Sequence, residues 1–110
     1  MSVFRHFEEA VIDSLTEGVL PSSVIAALKQ EGEVVDFHTT GHGYFLTVKH
    51  ASLPVERIVC DGRKITGTSD GVRTGFVIFL ERRELTLECY GLPGDVPDEY
   101  RNQNVAITAT

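Results

Sequence analysis

No run of apolar residues in this sequence approaches the length of a membrane-spanning helix, and Met1, Ser2, Val3, Phe4 opens an amphipathic pattern instead of a signal peptide. The expectation is a cytoplasmic protein with no membrane partner. Cysteine is scarce: Cys60 and Cys89 are the only two, and neither stands in a CxxC or CxxH. They read as reduced core thiols, and zinc is not expected. Basic residues are outnumbered, 10 Lys and Arg against 16 Asp and Glu for a net charge of −6, which argues against a nucleic-acid partner. The glycines at 41 and 43 and in the stretch 67 to 71 form neither GxGxxG before a helix nor GxxxxGK[ST], and no GxSxG elbow is present. No cofactor, metal or catalytic residue is therefore expected.

What is present is 110 residues with 42% hydrophobic content, enough for a single domain, 1–110, with a real core. Charge is unevenly spread. Residues 1 to 36 hold seven acids against two bases, residues 37 to 83 seven bases against four acids, and the remainder five acids against one base. Such segregation concerns surfaces and the steering of a charged partner.

Gly75 to Tyr90 (GFVIFLERRELTLECY) is the most strongly patterned stretch. Centring a hairpin between Arg82 and Arg83 makes facing positions sum to 165, so Phe76, Ile78, Leu80, Leu85, Leu87 and Cys89 share one face. Val77, Phe79, Thr86, Glu88 and Tyr90 share the other, where Val77 and Phe79 need a cover. A two-residue primed turn needs positive φ at Arg82 and Arg83, so a four-residue loop on a type I turn is expected.

Upstream, Phe4, Phe7, Val11 and Leu15 recur at three and four with Ile12 at the edge, predicting an amphipathic helix capped at Ser2 and stopped by Gly18. Ser22 or Ser23 caps a shorter second helix that ends near Gly32. Strands follow: Val34 to Thr39 and Tyr44 to His50 as a hairpin with facing positions summing to 83, then Arg57 to Cys60, Lys64 to Thr68, the central pair, and Val105 to Thr108. A helical turn is expected at Asp98 to Arg101. Helices followed by strands indicate α+β, with two N-terminal helices packed on a mainly antiparallel sheet of five to six strands.

His38, His42 and His50 do not converge in this hairpin, because His50 lies about 17 Å along the strand from the position facing His38. They read as surface histidines. The acidic helix face of Glu9, Asp13 and Glu17, and the tail group Asp95, Asp98 and Glu99 with Tyr100, have the make-up of an interface with a basic protein. Glu8 falls on the apolar side of the first helix, where a rim position is expected. With Tyr44 and Phe79 it would line a pocket between that helix and the sheet.

The runs Gly43 to Val48 with His50, Leu53 and Pro54, Gly75 to Phe79, and Glu84 to Cys89 resemble a group of small bacterial immunity proteins of polymorphic or contact-dependent toxin systems. The resemblance spans roughly residues 41 to 101 and is one of strand texture. It implies a cytoplasmic, non-catalytic protein that binds and blocks a toxin domain, often a basic nuclease, through an acidic surface. Two alternatives stand beside it: a small-molecule-binding domain or enzyme using the Glu8 pocket, and a homodimeric accessory protein that buries Val77 and Phe79.

Overall fold

The spacing of Phe7, Val11, Ile12 and Leu15 coils the chain into α1 (His6–Leu15), seen in a computed structural model that describes residues 2–109. The helix starts later than its apolar period. Ser2 does not cap it: its Oγ accepts the Phe4 N–H at 3.1 Å in the preceding segment, while the Arg5 N–H is taken by Glu8 Oε1 at 2.7 Å. After Thr16, Gly18 turns the chain at φ 80°. In α2 (Ser22–Glu31), Pro21 occupies the N-cap and both serines are already helical, so neither is the expected cap.

The described residues form one seven-stranded antiparallel sheet, and the fold is α+β with its helices N-terminal. The strands are β1 (Glu33–Thr39), β2 (Gly43–Lys49), β3 (Ile58–Cys60), β4 (Ile65–Ser69), β5 (Val72–Glu81), β6 (Glu84–Gly91) and β7 (Ala106–Ala109). Their order is β1-β2-β6-β5-β4-β7, with β3 paired to β5. The long β5 carries β4 on residues 72–75 and β3 on residues 78–80.

Register follows alternation. Glu81 faces Glu84 and each pair outward to Thr74 and Gly91 keeps the same sum, which puts the leucines, Ile78, Phe76 and Cys89 on the core side. In the first hairpin Asp36 to Thr39 face Thr47 to Tyr44 as the spacing required, and a bulge between Val34 and Asp36 shifts the rest. The central turn differs from expectation. Arg82 and Arg83 adopt φ of 54° and 62° in a two-residue connection. Non-local bonds hold them there: their N–H groups donate to Val55 O and Pro54 O, and Arg83 Nη1 donates to Ala51 O and Leu53 O. The strain of left-handed φ, about 1–2 kcal/mol per residue, is offset by that anchoring.

Both helices serve one face. Phe7 packs on Phe76 with ring centroids 6.2 Å apart, and Gly32 at the end of α2 abuts Val48. Leu46, Val48, Ile78, Leu80, Leu85 and Leu87 lie beneath, at 0–1% exposure. The opposite face carries Phe45, Thr47, Val77, Phe79, Thr86, Glu88 and Tyr90, all exposed or half-buried. Among the described residues, no helix is long and apolar enough to cross a membrane.

Gly43 sits at φ 150°, and a Cβ there would fall on the Cys89 carbonyl across the β2–β6 seam. Gly41, at φ 81°, has open space around it. Gly43→Ala is expected to cost about 3 kcal/mol or more, and Gly41→Ala only about 1–2 kcal/mol, measured by urea unfolding.

Candidate functional site

Helix periodicity aims Glu8 inward with Phe4 and Val11, and the side chain is fully buried instead of lying at a rim. Every neighbour is a donor. Arg101 Nε and Nη2 reach Glu8 Oε2 and Oε1 at 2.7 and 2.9 Å, Tyr44 donates its hydroxyl to Oε2 at 2.6 Å, and the Arg5 N–H completes the set. Four donors and no acceptor are what an ionised carboxylate needs in a dry site. Arg101 Nη2 also donates to Val3 O at 2.9 Å, and its guanidinium lies over the Phe37 ring at 5.3 Å. Phe37 in turn meets Tyr44, with centroids 5.6 Å apart.

Burial, and then the charge of Glu8, push the Tyr44 phenol far above its usual range. Burial alone would lower the Arg101 guanidinium, but hydrogen bonding to Glu8 and its charge outweigh this and hold it raised. Both groups keep one protonation state across physiological pH. With every oxygen of Glu8 engaged, the arrangement is a structural clamp and offers no base to a substrate. Glu8 and Tyr44 are brought together as the pocket idea required, but Phe79 projects from the opposite face of the sheet, so the three line no common cavity. A surface cleft of about 420 Å³ borders Arg101, between Arg5, His6 and Asn102.

The residues expected at a partner surface fall into three groups. Asp13, Glu17 and Asp95 are engaged within the chain, by Lys29 at 2.7 Å, Arg63 at 3.2 Å and His42 at 3.4 Å. Glu9, Asp98 and Glu99 form no ion pair among the described residues, and Asp98 and Glu99 are exposed. Tyr100 stands alone as the third. It is wholly buried in a 3-10 turn (Tyr100–Asn102), 3.0 Å from the Thr74 hydroxyl and edge-on to Phe7, and presents nothing to a partner.

Sequence reasoning missed the row Glu31, His50, Ser52. His50 Nε2 lies 3.0 Å from Glu31 Oε1, and Nδ1 lies 2.7 Å from Ser52 Oγ. The order is that of a nucleophile relay. However, Nδ1 also accepts the Ser52 backbone N–H at 3.1 Å, the geometry of a local turn clamp, and the Glu31 side chain is 69% exposed. The thiols are free and buried; burial pushes Cys89 up to about 12 and also raises Cys60, which removes thiolate chemistry. Among the described residues no group of three or more His, Cys, Asp or Glu converges as a metal site.

The outer sheet face has its own chemistry. In one row Glu88 stands between Phe45 and Val77; in the next Thr47, Thr86, Phe79 and Val59 are neighbours. His38 stacks on Phe45 at 5.2 Å, Arg57 lies 5.9 Å over Phe79, and Thr47 bonds Thr86 at 2.9 Å. Tyr90 covers Gly75, where a Cβ would meet its ring. Burial raises the Glu88 carboxyl above its ordinary range.

Removing one partner of the clamp strands a buried charge, so Arg101→Met is expected to cost about 3–5 kcal/mol, and Tyr44→Phe about 1–2 kcal/mol. Glu8→Met combined with Arg101→Met is expected to cost less than Arg101→Met alone, as read by denaturant midpoints. A raised native pKa means that charged Glu88 costs stability above its titration and the cost vanishes as pH falls through that pKa. Glu88→Gln should thus stabilise at neutral pH by a fraction of a kcal/mol, since the side chain is part-solvated, with no gain in acid, as followed by thermal unfolding. No protein-family model, curated protein or solved structure matches this chain.

Proposed function

We propose that this chain is a non-catalytic, cytoplasmic protein-binding module of the immunity type, which neutralises a toxin domain by occluding it. The observation that carries the reading is the uncovered outer sheet face. Phe45, Val59, Val77, Phe79 and Tyr90 form a neighbouring apolar set there, with Val59 44% and Tyr90 38% exposed, and no element of the described chain lies over them. An apolar, aromatic centre with a polar border is the composition of a protein interface.

Charge has a separate part. A net charge of −6 draws in a basic partner over a distance, and Glu9, Asp98 and Glu99, outside the ion pairs formed among the described residues, are the acids best placed to do so. Asp13 and Glu17, already neutralised by Lys29 and Arg63, contribute less. The acids govern how fast the complex forms, and the sheet face governs how long it lasts.

Surface plasmon resonance against the product of the gene immediately upstream tests both parts. Phe79→Ala is expected to raise the dissociation rate by about 30-fold, the effect of a hot-spot residue. Glu9→Lys with Asp98→Lys and Glu99→Lys should slow association and flatten its salt dependence while leaving dissociation nearly unchanged. Affinity indifferent to both sets of substitutions would remove the proposed interface.

A further inference from the structure

The strand β1 ends the sheet path, with β2 on one side and no strand of the described residues on the other, and all seven of its residues are exposed. Val34, Val35 and Phe37 stand at 43%, 42% and 41% exposure. An open edge of this length bearing apolar side chains is a template for another strand. We propose that its occupant is a second copy of the chain, paired antiparallel along β1 about a two-fold axis at Phe37, so that two seven-stranded sheets become one.

Hydrogen-bond parity and charge select that register. The Thr40 N–H donates to Gly43 O at 3.0 Å, and inward bonds recur at every second residue of an antiparallel ladder. His38 therefore bonds toward β2, and the N–H and C=O groups of Phe37 and Thr39 point to the free edge. In a pairing of two identical strands, facing residues must share parity, so the axis can pass only through a residue position. An axis at residue 36 sets Asp36 against the partner subunit's Asp36, which is repulsive. An axis at 38 sets His38 against the partner subunit's His38 and leaves Asp36 facing threonine.

The axis at Phe37 does otherwise: each Asp36 faces the partner subunit's His38, twice over. These are non-hydrogen-bonded pairs, in which the Cα atoms come to about 4.5 Å and side chains meet most closely. Asp36 and His38 are already held on the outer face, with Oδ2 and Nδ1 3.0 Å apart and the imidazole stacked on Phe45. On the helix side the two Phe37 rings meet across the axis, and each is backed by Arg101 and Tyr44. The bulge between Val34 and Asp36 turns the strand away beyond residue 35 and limits the seam to 35–39. This edge is separate from Phe79 and Val77, so the dimer is independent of the binding role argued above.

Sedimentation equilibrium over a concentration series tests the proposal, with circular dichroism confirming that each variant folds. The wild-type chain is expected to dimerise, Asp36→Lys to weaken the dimer by about tenfold or more, and Asp36→Lys with His38→Asp to restore it by placing an opposite-charge pair at the same positions. Phe79→Lys should leave it intact. Phe37→Cys should form an intermolecular disulfide on mild oxidation because residue 37 faces itself, and Thr39→Cys, which faces residue 35, should not. A monomer at every concentration, a dimer unmoved by Asp36→Lys, or cross-linking at 39 and not at 37 would each overturn it.

Discussion

A carboxylate taken out of water must be met by charge and by hydrogen bonds together, and the rest of this fold is arranged so that Glu8 has both. Arg101 reaches it from 93 positions along the chain, Tyr44 from β2, and Phe37 closes the guanidinium from outside. Desolvation of two ions costs several kcal/mol and offsets most of their attraction, so the pair acts chiefly on placement. It ties the start of α1, which packs on β5 and β7, to Tyr44 of β2, and stations the 3-10 turn that holds Tyr100 against Thr74 and Phe7. β7, returning from that turn to pair with β4, completes the layer.

One face of the sheet is thereby finished and the other is not. On the helix side Leu46, Val48, Phe76, Ile78, Leu80, Leu85 and Leu87 are enclosed, Phe37 and Val34 on the edge strand stay part-exposed, and no buried side-chain polar atom lacks a partner among the described residues. Across the sheet, one residue away along each strand, aromatic and aliphatic groups meet water beside threonines and a carboxylate. The division follows from the alternation of side chains, since helices that cover one parity cannot also cover the other.

That division was legible in the sequence because it depends on local pattern. Alternation in Gly75 to Tyr90 fixed the register of the central hairpin to the residue, and the spacing of Phe4 to Leu15 gave α1 its buried stripe. What escaped was whatever depends on distant partners. The primed turn at Arg82 and Arg83 looks unfavourable by itself and is held by acceptors at 51 to 55. Glu8 reads as a rim residue until Arg101 is known to lie beside it. Tyr100 reads as an exposed aromatic among acids, although it is part of the core. For the candidate site, the pairing of Glu8 with Tyr44 was foreseeable from helix and strand faces; the opposite parity of Phe79 from Tyr44 depends on the β2–β6 register, which neither hairpin sum supplies.

The span of the Glu8 to Arg101 bond also has a temporal side. A ribosome adds residues at about 5–20 per second, so some 5–20 s separate the two partners during synthesis. Through that interval the nascent helix carries a carboxylate on its apolar stripe with no counter-ion, which discourages it from docking early on half-built strands. The helix gains its counter-ion only when nearly the whole sheet has been synthesised, so the same pair that fixes its position also ties its last contact to the end of synthesis.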